Sequence, residues 1–148
     1  MFKYFGIALV CLAIALAFIP QMTDCQSQGD YATLANGTSI SMKCHWTATA
    51  QTSVAIPIGM VGLAIALPRR KNYLWVPSLM GGILGIMPIL LTTTLIGTCA
   101  NSAHVCNTLM KPLIIIMGGL VTTTSIVSFF FAYRSRNNVY VFYNTPKY

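Results

Sequence analysis

The side chains in this sequence that have chemistry to offer fall in two short stretches. The first runs from Cys25 to Trp46 and ends in Met42, Lys43, Cys44, His45 and Trp46; the second, Gly97 to Lys111, holds Cys99, His104, Cys106 and Met110. Thiol, imidazole and thioether groups in this combination admit three chemistries. Four cysteines in an oxidising compartment pair as two disulfides. Cys25 with Cys44 and Cys99 with Cys106 is the favoured arrangement because each bond then closes one loop, although three pairings are open. The second chemistry is a soft-metal or haem site, with Met42, Cys44 and His45 meeting Cys99, His104, Cys106 and Met110 in a sulfur and nitrogen set suited to Cu(I) or zinc. The spacing does not single it out: Cys44 and His45 are adjacent, awkward for one ion, and the chain has no CxxC, HxxxH or CxxCH sequence. The third is thiol–disulfide exchange of the kind run by four-helix, quinone-linked membrane enzymes. Those use a close CxxC pair, whereas the closest pair here is Cys99 and Cys106. The expectation is therefore a structural, disulfide-bonded cap with no cofactor, and haem, copper or zinc belongs to the alternative.

The elements that must position these groups are set by an unusual composition. Of 148 residues, 55% are hydrophobic and only 7% charged, against about a quarter charged in a soluble domain. The apolar residues form blocks near the roughly 20 residues that cross a bilayer as helix. Helices are expected over about 4–19, 46–67, 74–96 and 112–133, with Pro20 ending the first, Pro57 kinking the second and Pro112 opening the fourth. The N-terminal run resembles a signal peptide, but the sequence after it matches a cleavage site poorly; an uncleaved first helix is the expectation. Loops then cover 20–45 and 97–111, a turn covers 68–73, and a basic, aromatic tail covers 134–148. In that tail "VYVFY" is expected at the membrane surface or in a short strand. The fold class is an all-α integral membrane protein, one domain built as a four-transmembrane-helix bundle.

Charge gives the orientation. Lys3, Arg69, Arg70, Lys71, Arg134, Arg136 and Lys147 belong to the termini and the 68–73 turn, while Lys43 and Lys111 alone fall in the other loops. By the positive-inside rule both termini are cytoplasmic and the cysteine loops face outward. The net charge of +7 thus reports topology, and nucleic acid is not an expected partner. The predicted spans contain no Asp, Glu, Lys, Arg or His, which argues against an ion-coupled pump. Trp46 and Trp75 stand where interfacial anchors belong, and His45 fits the same belt. Gly81 and Gly85, together with Gly59, Gly62, Gly118 and Gly119, offer surfaces for close helix packing. Thr92, Thr93, Thr94, Thr122, Thr123 and Thr124 are expected to bond helix backbone. Cys11 reads as a small buried apolar residue, and Asn36, Gly37 and Thr38 form a glycosylation sequon.

The segments "MKCHWTATAQ" and "LIGTCANSAHVCNTLMKP" resemble an uncharacterised group of small four-pass bacterial membrane proteins, domain of unknown function family 4418. Cys44, His45, Trp46, Cys99 and Cys106 are the matching positions, and the CHW triplet is the most specific part. The resemblance implies a bacterial plasma membrane protein and, through neighbouring genes for transporters of the ABC exporter type, an accessory role beside a larger complex. The functional expectation is a non-catalytic membrane subunit. An outer-face metal, haem or thiol-redox protein built on Cys44 and His45 is the opposing one.

Overall fold

The computed structural model describes residues 2–24, 29, 32–67, 74–98 and 105–143. Four helices in it are long and apolar enough to cross a membrane: Lys3–Met22, Lys43–Ala66, Trp75–Leu95 and Cys106–Arg134, with mean hydropathies of 2.3, 1.5, 1.7 and 2.1. The protein is an all-α, four-helix membrane protein. Its surface carries the apolar side chains that a soluble protein would bury: Ile14, Phe18, Met60, Ile83, Ile116 and Phe130 are all more than half exposed. Facing outward along the spans, they meet lipid.

Three of the four helices are longer than their hydropathy blocks. Helix α1 covers Phe2–Met22 and runs through Pro20, because a proline in the last turn removes one helical N–H donor without unseating the turns before it. Thr23 closes this end, its hydroxyl donating to the Ile19 carbonyl at 2.9 Å. Helix α2 covers Lys43–Ala66 and continues unbroken across Pro57. It starts three residues before the expected Trp46, so Lys43, Cys44 and His45 form its first turn instead of closing the loop. Met42 is its extended N-cap, and the Met42 carbonyl accepts the His45 N–H at 3.1 Å. Between α1 and α2, strands β1 (Ala32–Thr33) and β2 (Ser39–Ile40) pair antiparallel. The sequon lies in the exposed turn between them, where Gly37 has φ 80°.

Helix α3, Trp75–Leu90, passes into a π-helical turn at Leu91–Leu95. Gly97, at φ 77°, ends it, a backbone conformation that side-chain-bearing residues rarely adopt. A second π-helical turn, Cys106–Met110, leads into helix α4, Lys111–Tyr143. Cys106 therefore begins a helix instead of sitting in the loop expected up to 111. At the other end α4 does not stop near Tyr133, and the "VYVFY" segment is helical through Tyr143, not a strand. The remaining tail, 144–148, and the 68–73 turn lie outside the described residues, as do Cys25, Cys99 and His104.

The bundle has two unlike ends. At one, α1 and α2 meet with almost no space between their backbones: a Cβ on Gly6 would lie 2.5 Å from the Ala66 nitrogen, and one on Gly62 would lie 3.0 Å from the Gly6 carbonyl. The same holds along α3 and α4, where a Cβ on Gly85 would meet the Thr122 nitrogen at 2.8 Å and one on Gly118 the Gly85 carbonyl at 3.0 Å. A Cβ on Gly81 would meet Ser125 Oγ at 2.6 Å; on Gly59 it makes only an ordinary contact with Ala13, and on Gly119 it meets nothing. At the other end, α1 and α2 are held by polar side chains. The expected testable difference follows. Gly85→Ala, which would push against backbone, should lower unfolding stability by about 1–3 kcal/mol. Gly119→Ala should leave it unchanged or raise it by up to about 1 kcal/mol through helix propensity. Thermal unfolding of the two variants in one detergent, followed by size exclusion, reads the contrast.

Candidate functional site

The polar end gathers residues from all four helices. Asp24, two residues beyond α1, is 3% exposed, an unusual position for a carboxylate unless it is paired. Its Oδ2 lies 2.8 Å from His45 Nδ1 on the first turn of α2. The imidazole donates through Nδ1, and the carboxylate thereby fixes both ring orientation and tautomer. The His45 side chain is 29% exposed against 4% for Asp24: the carboxylate forms the floor and the ring lies over it. Trp46, the next residue, is exposed, its ring centroid 6.1 Å from that of His45 in an edge-on arrangement.

Cys44 points the other way. It is fully buried and shares the core cluster with Cys106, Met110, Ala48 and Ile114. The Cys106 thiol lies 3.9 Å from the Thr23 carbonyl, next to Asp24. The two cysteines therefore share one buried layer at the same end of the bundle. No disulfide joins two of the described cysteines, Cys11, Cys44 and Cys106, and the expected partners Cys25 and Cys99 fall outside the described residues. Cys11 is exposed on α1, not buried as its position in an apolar helix led us to expect; it faces outward from the bundle. Among the described residues, no group of three or more His, Cys, Asp and Glu side chains lies together as a metal site. Met42 is half-buried at the rim.

Below this layer, a second set of bonds ties α2 to the outgoing turn of α3. The Thr47 hydroxyl donates to the Gly97 carbonyl at 2.8 Å. Gln51, fully buried, donates through Nε2 to the Pro88 carbonyl at 2.9 Å and to Thr92 Oγ1 at 3.0 Å. Its Oε1 has no hydrogen-bond partner among the described residues. The remaining threonines behave as expected: Thr93, Thr94, Thr122, Thr123 and Thr124 all donate to carbonyls three or four residues back in their own helices. Trp75 begins α3 at the opposite end from Trp46.

Sequence reasoning missed Asp24 and Gln51. Both carried a signal: Asp24 is one of only two acidic residues in the chain, and Gln51 is the one carboxamide inside the predicted spans. A lone acid at a helix mouth needs a cation or donors, and a lone amide in hydrocarbon needs a carbonyl on a neighbouring helix.

Fold and site together define a small four-pass membrane protein with a carboxylate–imidazole pair and buried cysteines at one end. Comparison with family models is more specific. The chain belongs to the family described as domain of unknown function (DUF4418), whose model matches residues 4–131. Comparison with curated proteins and with solved structures gave no match.

The Asp24–His45 hydrogen bond is testable by a double-mutant cycle. Asp24→Asn and His45→Gln should each cost about 1–3 kcal/mol of stability. Their combination should cost less than the sum, with a coupling of about 1 kcal/mol or more. Additive losses in thermal unfolding would mean that the two side chains do not act as a pair.

Proposed function

We propose that the protein is a non-catalytic accessory subunit that packs against, stabilises or regulates a larger membrane complex, such as an ABC-type exporter, in the bacterial plasma membrane. The observation that carries this reading is a shallow groove between α1 and α2. Ala13, Ala17, Ala55 and Gly59 form its floor, and Phe18 and Met60 are among the larger side chains at its edges. Helices associate in membranes by bringing small residues together, since lipid tails are as apolar as Leu. Here Ala17 and Gly59 are half-buried in the groove, where a helix of another chain can lie against them. Both termini are cytoplasmic in this reading, as the basic residues favour, and the Asp24–His45 end is extracytoplasmic. Cys25–Cys44 and Cys99–Cys106 disulfides staple that end.

The test is purification of the tagged chain in mild detergent. Co-elution with a large membrane protein is expected, and Ala17→Trp, which fills the groove, should release that partner while the chain itself still elutes as a single species. Elution of the wild-type chain alone would count against the reading.

A second reading, an outer-face ligand or redox protein, draws support from His45, whose ring is oriented by a buried carboxylate as metal-bound and catalytic imidazoles are. Intact mass separates the two: two disulfides and no bound mass favour the subunit, whereas free Cys44 with a bound ion or haem favours the second.

A further inference from the structure

We propose that the end of the bundle formed by the start of α1 and the close of the α4 span is a recognition surface for anionic phospholipid headgroups, with Lys3 and Arg134 as its contacts. Binding there does not depend on a partner helix in the groove. Depth is the first observation. Lys3 opens the apolar span of α1 and Arg134 closes that of α4, so both cations stand where hydrocarbon gives way to headgroups. The two helices run in opposite directions: at the far end the Cys106 thiol, which begins the fourth span, lies 3.9 Å from the Thr23 carbonyl just past α1. At the near end the ring centroids of Phe5 and Phe131 are 6.3 Å apart. Lys3 stands two residues outward of that ring pair and Arg134 three, about 3 and about 4.5 Å along their helices. The cations therefore occupy nearly one level on adjacent helices. Both are exposed, and each follows or precedes an exposed tyrosine, Tyr4 at 77% and Tyr133 at 51%. A tyrosine at this depth keeps its ring in the apolar layer and its hydroxyl among the headgroups.

Charge is the second observation. The chain's only acidic side chains are Asp24 and Asp30, both in the stretch that joins the far ends of α1 and α2. Asp24 is buried there against His45 at 2.8 Å, about 30 Å from Lys3 along α1. The sequence supplies no acidic side chain before Asp24 or after Asp30, while Arg69, Arg70 and Lys71, between α2 and α3, and Arg136, beyond the α4 span, add to the same sign. Counter-charge for this end therefore comes from outside the bundle. A lipid phosphate provides it at the right depth: the Arg134 guanidinium can bond two of its oxygens at once, and the Lys3 ammonium reaches it as a point charge. A zwitterionic lipid carries its own cation beside the phosphate and gains little from a positive surface. Discrimination between the two headgroup types is thus what this surface adds to ordinary contact with the bilayer.

The experiment reconstitutes the full chain in phosphatidylcholine vesicles containing a trace of spin-labelled phosphatidylglycerol or spin-labelled phosphatidylcholine. The fraction of each label immobilised at the protein, read by electron paramagnetic resonance, gives the relative affinity. Wild type should prefer phosphatidylglycerol by at least about fivefold. Lys3→Gln and Arg134→Gln should each lower that preference by about twofold or more, and the double variant by about fourfold or more. Lys43→Gln, which removes an exposed cation from the end that holds the acids, should change it by less than about twofold. Raising NaCl from about 0.05 M to about 0.5 M should shrink the wild-type preference, a readout that needs no variant; circular dichroism should show each variant helical. Equal affinity of wild type for the two lipids overturns the surface. A preference that survives the double variant, or that Lys43→Gln lowers as much as Lys3→Gln does, also overturns it, the second by reducing it to net charge. Displacement of the labelled lipid by an equal concentration of free glycerol phosphate would mean a soluble phosphate site and overturn the assignment to lipid.

Discussion

In hydrocarbon a polar group has no water to bond to, and this structure is organised around that requirement. Along the spans the hydroxyls of Thr93, Thr94, Thr122 and Thr124 turn back on their own helices, while Ser78 and Ser128 also lie 3.1 Å apart across α3 and α4. Once such groups are satisfied locally, contact between helices is left to shape. Gly6, Gly62, Gly85 and Gly118 then decide which helices approach, because at each a side chain would strike a neighbouring helix. The result is two close hairpin pairs, α1 with α2 and α3 with α4.

Where glycine contacts give way to polar ones, the backbone also becomes irregular. Both π-helical turns, Leu91–Leu95 and Cys106–Met110, lie at the end that holds Asp24 and His45. A widened turn redirects the side chains after it and is frequent where a helix serves something other than packing. Gln51 bonds the Pro88 carbonyl just ahead of the first of these turns and Thr92 inside it. It clamps α2 across the junction between the last regular turn of α3 and the irregular segment.

The spans were legible because hydropathy is a local property: Ile, Leu and Val blocks need no knowledge of what packs on them. Helix ends were less so. Lys43 and His45 are polar and read as loop, yet their backbones complete the first turn of α2 while their side chains reach past the apolar region. Pro20 reads as a terminator, yet sits in a final turn that Thr23 closes. The Asp24–His45 pair joins residues 21 apart in sequence, a relation fixed by how α1 returns to α2 and marked by no periodicity. Nothing in Leu-Thr-Thr-Thr-Leu distinguishes a π-helical turn from an α-helical one. Cys44 and His45 stood together as one motif in sequence; a helix of 3.6 residues per turn points neighbours in different directions, and only the structure divides them.

The length of α4 has a mechanical consequence. Its 33 residues extend about 50 Å at 1.5 Å per residue, whereas the hydrocarbon layer is about 30 Å thick. The surplus is continuous with the transmembrane part, without a break at Arg134 where the span ends. The helix is therefore a rod whose protruding arm is rigidly coupled to its embedded one. A tilt of α4 against α3 is carried undiminished to Tyr143, and a force on the arm is returned to the Gly85–Thr122 contact as torque.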